Sequence, residues 1–169
     1  MSRSAGSRRT RLLQTCVALV GASACTAPSV GCTDIGAANG VGVTVVASLA
    51  SEVTGLTLTV CRAGDCREAP VELSHGSVTV GEPCSGNAPD DVCSASSAPD
   101  GTSVGFAPVA DLAEESVAVS ARYQRARRSV STARVTLPAR GVYPNGPDCG
   151  PAGYQAAVRL TESGLEIAR

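Results

Sequence analysis

The run Leu56-Thr57-Leu58-Thr59-Val60-Cys61-Arg62-Ala63-Gly64-Asp65-Cys66 decides the fold class. Its first five residues alternate apolar side chains with threonine, the period of two that turns one face of a strand to a core and the other to water. The strand ends at Cys61, and four residues with turn chemistry separate it from Cys66. Residues flanking such a loop face each other across a hairpin at about 4.5–5.5 Å, within disulfide reach.

The same alternation continues on both sides. Val41-Gly42-Val43-Thr44-Val45 puts three valines on one face, and Val71-Glu72-Leu73 and Ser77-Val78-Thr79-Val80 follow at short spacing. Val104 to Val109 surrounds Phe106, while Val117-Ala118-Val119-Ser120-Ala121 and Ala133-Arg134-Val135-Thr136-Leu137 look like neighbouring strands. Ala156 to Leu160 and Leu165-Glu166-Ile167 complete the set. Only Val109 to Val117 has helical potential, and it is short. The pattern predicts an all-β fold of about seven to nine short strands: a single immunoglobulin-like antiparallel β-sandwich over residues 32–169, with a partly closed barrel as the alternative.

Hydrophobic residues make up 43% of the 169, but aromatics only 2%, so the core must be built from Val, Leu, Ala and the single Phe106. A small-residue core buries little area per residue, and the eight cysteines are the obvious supplement. All 14 basic residues are arginine. Ala, Gly, Val, Pro and Arg all have GC-rich codons, which points to a high-GC source. Arg3, Arg8, Arg9 and Arg11 precede the first apolar run; beyond them the 15 acidic residues outnumber the remaining arginines by five. A domain of that charge has no electrostatic case for binding nucleic acid.

Residues 1–24 read as a signal peptide. Ser7-Arg8-Arg9-Thr10-Arg11 is a charged n-region, and Leu12 to Ala24 is an apolar run of signal-peptide length, too short to span a membrane. Arg8-Arg9 before Leu12-Leu13 resembles a twin-arginine signal, although paired arginines also occur in ordinary leaders, so the export route stays open. Ala22-Ser23-Ala24 has the small-x-small form read by signal peptidase. Followed by Cys25 it resembles a bacterial lipobox, with Ala22 where leucine is usual. Cysteine parity selects Cys25 as the lipidated residue. Seven cysteines follow the leader, and a lipid on Cys25 leaves six for three bridges, whereas a cut at Cys32 would leave five. Residues 25–31 then form the lipidated cysteine and a short tether, broken up by Pro28 and Gly31.

Six cysteines allow 15 connectivities, and spacing alone selects none. Local geometry narrows the field: Cys61–Cys66 closes a hairpin, Cys84–Cys93 encloses a loop too polar to fold alone, and Cys32–Cys149 is what remains. A zinc site is the weaker reading of Cys61-x4-Cys66, because no second cysteine pair or paired histidine accompanies it.

Candidate chemistry is sparse. His75, the only histidine, sits between strand candidates and reads as a turn residue without an oriented nucleophile. Asn87 with Asp90-Asp91, and Glu114-Glu115, lack the alternation of a calcium loop. There is no GxGxxG, P-loop or GxSxG. Neither a cofactor nor a catalytic residue is expected. Arg122-Tyr123-Gln124-Arg125-Ala126-Arg127-Arg128 is the one basic cluster of the domain. It reads as a hairpin tip in which Arg122, Arg125, Arg127 and Arg128 contact anionic lipid head groups or wall polymers, or stay solvated.

Val142-Tyr143-Pro144-Asn145-Gly146-Pro147-Asp148-Cys149-Gly150 followed by Gln155-Ala156, together with Cys32-Thr33-Asp34-Ile35-Gly36-Ala37 and Val60-Cys61, resembles small lipoproteins and secreted proteins of actinobacteria that have no assigned function. The resemblance covers the mature chain. It implies a cell-envelope location and the same three bridges, and it supplies no catalytic residues. The resulting expectation is a membrane-tethered, extracytoplasmic, non-enzymatic binding or scaffolding domain. Its partners would be the membrane, through the lipid, and an envelope protein or polymer. The alternative is a secreted disulfide-rich inhibitor or effector acting on an extracellular enzyme through the Cys84–Cys93 loop.

Overall fold

The computed structural model describes residues 31–168 apart from 82, 83, 85, 87, 89 and 90. The leader and Cys25 lie outside the described residues, as do Asn87 and Asp90 of the calcium candidate. The described chain is an all-β sandwich of two sheets. In order it forms β1 (Gly40–Val45), a one-turn helix α1 (Ala47–Ala50), β2 (Val53–Arg62), β3 (Asp65–Val71), β4 (Leu73–Gly81), β5 (Ala95–Pro108) and β6 (Ser116–Arg125). Then follow β7 (Arg128–Ser131), β8 (Val135–Pro138), β9 (Arg140–Val142), β10 (Gly153–Thr161) and β11 (Gly164–Ile167). One sheet runs β11-β10-β1-β5-β4, with β9 also on β10; the other runs β3-β2-β6-β7, with β8 also on β6.

This is the immunoglobulin arrangement of an A-B-E-D sheet facing a C′-C-F-G sheet, with one departure. The place beside β1 that the first immunoglobulin strand would fill is taken by β10, which runs parallel to β1 from Gly40↔Gln155 to Val45↔Leu160. The expected sandwich was antiparallel throughout. Parallel neighbours need a long crossover, and here everything from β2 to β9 serves as one.

The alternation read from the sequence builds the core. Val41, Val43 and Val45 of β1 pair with Ala156, Val158 and Leu160 of β10, and all six are buried. Opposite them Leu56, Leu58 and Val60 of β2 pair with Tyr123, Ala121 and Val119 of β6. Leu49 of α1 is fully buried and closes one end. No apolar periodicity in the sequence marks this helix, whereas Val109 to Val117, the one segment with helical potential, crosses between sheets through turns and a bend.

Phe106 is not in the core. Ser103, Gly105 and Ala107 take the inward positions of β5, and Phe106 faces outward at intermediate exposure. The reason is the β3–β4 crossing: a Cβ on Gly105 would lie 2.3 Å from Val71 Cγ1 and 2.7 Å from the Glu72 carbonyl oxygen. With the inside of β5 occupied by that crossing, the one large ring goes to the outer face. There it lies against Gly40, whose Cβ would stand 2.7 Å from the ring. Eleven strands rather than seven to nine form among the described residues: β3 and β7 are mostly exposed and show no apolar alternation, and β9 has only three residues. Val71-Glu72-Leu73, read as one strand, is the break between β3 and β4.

Candidate functional site

Strand directions sort the molecule into two ends. At the first, Cys32 is bridged to Cys149 at an S–S distance of 2.02 Å, and residues 33–39 run against the 143–153 segment. Asn145 Nδ2 donates to the Thr33 carbonyl at 2.8 Å, and the Tyr154 N–H donates to Asn39 Oδ1 at 2.7 Å. The β2–β3 turn also lies here, with Cys61 directly opposite Cys66 and their sulfurs 2.07 Å apart. Arg62 and Asp65 pair with each other, so the expected four-residue loop shrinks to a two-residue turn of Ala63 and Gly64 at φ 43° and 92°. Arg62 Nη1 reaches Glu115 Oε1 at 3.2 Å and donates to the Asp111 carbonyl, binding this turn to the β5–β6 connection.

The second end carries α1, the β6–β7 turn and the outer part of the β4–β5 hairpin. Arg122 and Arg125 are strand residues of β6, and Tyr123 between them is buried, so the basic cluster is shorter than a seven-residue tip. The turn itself is Ala126 and Arg127, both left-handed at φ 47° and 64°, as a two-residue hairpin turn requires. Arg122 Nη2 lies 3.1 Å from Glu68 Oε2 and Arg125 Nε 2.5 Å from Glu52 Oε2. The Glu52 carboxylate holds the Arg125 guanidinium still further above its usual range. No described carboxylate lies within ion-pairing distance of Arg127 or Arg128, which are exposed side by side. Nothing in the sequence flagged Glu52 and Glu68 as partners, since they are brought to the arginines from 73 and 54 residues away.

Past its pairing with β1, β5 continues with β4 as a ribbon with no third strand among the described residues. A bulge at Gly76 marks the transition: a Cβ there would stand 2.0 Å from Thr102 Oγ1. His75, expected in a turn, is an exposed strand residue paired with Ser103 at this bulge. Thr102 donates to Asp100 Oδ1 through its hydroxyl at 2.7 Å and its N–H at 2.9 Å, and these bonds hold the Asp100 carboxyl below the usual carboxylate range. From Ser77↔Pro99 to Gly81↔Ala95 the ribbon runs about 16 Å beyond the sandwich. Residues 77–81 are all exposed, Val78 to 52% and Val80 to 45%. Beyond it Cys84 is bridged to Cys93 with sulfurs 2.04 Å apart.

Elsewhere the described surface carries open depressions. A depression of about 340 Å³ lies where the chain passes from β8 to β9, lined by Gly42, Leu137, Pro138, Arg140, Gln155 and Ile167. Among the described residues no group of three or more His, Cys, Asp and Glu is placed to hold a metal ion, and no helix is long and apolar enough to cross a membrane. Three bridges in so small a domain fit an oxidising, extracytoplasmic location. No family model, curated protein or solved structure matches this chain.

Proposed function

We propose that this chain is a lipoprotein held on the outer side of a membrane by a lipid on Cys25, and that its sandwich is a non-enzymatic binding domain for an envelope polymer or protein. The observation that carries the reading is the separation of the two ends. The chain is pinned by Cys32–Cys149 at one end, and the exposed features that suit binding, the Arg127-Arg128 turn and the ribbon, are at the other. Six residues separate Cys25 from Cys32, a span of about 25 Å at full extension, so an anchored Cys25 keeps the pinned end nearest the bilayer. The basic turn then points outward. That favours an anionic wall polymer over the head groups of the tethering membrane, since adjacent guanidinium groups suit carboxylate or phosphate oxygens. The resemblance to small actinobacterial envelope proteins supports the same location.

Fractionation of cells expressing the full chain tests the anchor. Cys25→Ser should move the protein from the membrane to the medium; retention in the membrane would defeat the reading. For the ligand, isolated cell-wall fragments should retain the protein in low salt, and Arg127→Glu with Arg128→Glu should abolish retention. Equal retention of the variant would remove the basic turn from the proposal.

A second reading is favoured by one observation: the Cys84–Cys93 bridge lies beyond a projecting ribbon, where an inhibitory loop would be presented. In that case the protein is a secreted inhibitor of an extracellular enzyme, and a panel of proteases should include one that it inhibits. A panel left uninhibited would remove that reading.

A further inference from the structure

A sheet edge offers unpaired N–H and C=O groups to any strand that meets it, and proteins normally guard such edges with charge, proline, shortness or cover. Among the described residues the sandwich guards all its edges but one. β3 carries Asp65, Arg67, Glu68 and Pro70; β7 and β8 have four residues each, with Arg128 in one and Pro138 in the other. β9 has three residues and β11 four, with Arg140 and Glu166. On the free side of the ribbon, β5 presents Pro99 and Asp100. β4 has nine residues, Leu73-Ser74-His75-Gly76-Ser77-Val78-Thr79-Val80-Gly81, without Asp, Glu, Arg or Pro. The bulge at Gly76 interrupts it, leaving Ser77–Gly81 as the regular stretch, rich in β-branched residues and exposed.

We infer that two copies of this chain pair along this edge, β4 against β4 in antiparallel sense about a two-fold axis at Thr79. Chemistry selects a second copy as the partner. An uncharged strand meets itself without repulsion, whereas β3 brought against itself would have to accommodate its acidic and basic residues. Register selects it as well. With Thr79 opposite its own mate, Ser77 lies opposite Gly81, and Val78 lies opposite Val80 of the other copy. The two valines of each copy point to the same face of the ribbon, because residues two apart in a strand share a face. Antiparallel partners directly opposite also share a face. The four valines therefore form one apolar patch, extended by Ala98, the cross-strand neighbour of Val78. A one-residue slip would set each valine opposite a Ser, Thr or Gly and split that patch. The interface is self-complementary, as a two-fold contact must be. It joins the two β4-containing sheets into one, and it stands whether or not Cys25 carries a lipid.

The test is cross-linking in cells that export the full chain. Thr79→Cys should give a reducible dimer, and Ser131→Cys, exposed on the other sheet, should give no more than the unaltered protein run beside it. Val78→Cys and Val80→Cys expressed together should cross-link better than either alone, which fixes the register. In sedimentation of the purified full chain, the dimer should be lost when Val78→Lys and Val80→Lys are combined. A monomer at every concentration, with Thr79→Cys cross-linked no more than Ser131→Cys, would overturn the inference. So would capture of other envelope proteins by Thr79→Cys in place of the dimer. If the double lysine variant is not exported, the cysteine variants, which keep the edge uncharged, still decide.

Discussion

Removing the Cys32–Cys149 bridge should cost more stability than removing either of the others. In the chain-entropy view a cross-link stabilises by restricting the unfolded chain, in proportion to the logarithm of the loop it closes. The sequence separation of 117 gives about 4.9 kcal/mol for this bridge. The separations of 5 and 9 for Cys61–Cys66 and Cys84–Cys93 give about 2.2 and about 2.7 kcal/mol. Against a total stability of about 5–15 kcal/mol for an ordinary domain, the long bridge alone decides whether this sandwich stays folded under mild stress. The native end it joins keeps other ties, such as the Asn145–Thr33 hydrogen bond, so its removal acts mostly on the unfolded state. The assay is equilibrium urea unfolding by far-ultraviolet circular dichroism of the oxidised protein and of the Cys32→Ser/Cys149→Ser and Cys61→Ser/Cys66→Ser variants. The first variant should show the larger loss and a steeper denaturant dependence, because its unfolded chain is released to expand. A smaller loss than for the Cys61–Cys66 variant would refute the reasoning.

The β6–β7 turn holds Ala126 and Arg127 in the left-handed region, where non-glycine residues are disfavoured. Ala126→Asn with Arg127→Gly should stabilise the protein by about 1–2 kcal/mol, read as a rise in the urea midpoint. Gly105→Ala should destabilise it by about 1–3 kcal/mol, since its Cβ meets Val71 and the Glu72 backbone; an unchanged midpoint would contradict the packing. Asp100 should titrate below the ordinary carboxylate range by carbon NMR, and Thr102→Ala should move it back up. Because folding lowers this pKa, its contribution is full above the unfolded value near pH 4 and is lost as pH falls through the folded one.

The two strands nearest the centre of each sheet were the most legible. β1 and β2 are half-buried on one face, so alternation wrote them into the sequence as Val41/Val43/Val45 and Leu56/Leu58/Val60. β3 and β7 touch the core at one edge only, and their exposed side chains left no periodic trace. Phe106 misled because hydrophobicity says that a ring should be buried. The obstacle that turns it outward is Val71, which lies 34 positions earlier than its neighbour Gly105 and is invisible to a local pattern. The three bridges in the structure are the pairs to which hairpin geometry and elimination narrowed the cysteines. For the basic cluster, spacing found the arginines but not their division. Two are neutralised by Glu52 and Glu68, and only the folded chain brings those carboxylates to them. The ribbon escaped notice because Ala95 to Pro99 is too small and polar to read as a strand, and it forms one only against β4.

Intact mass spectrometry of the protein from the membrane and medium of an exporting host, with and without reductant, tests the central claim most directly. The account predicts a membrane-bound species beginning at an acylated Cys25 and gaining six hydrogens on reduction, two for each bridge. An unacylated chain recovered only from the medium would contradict it.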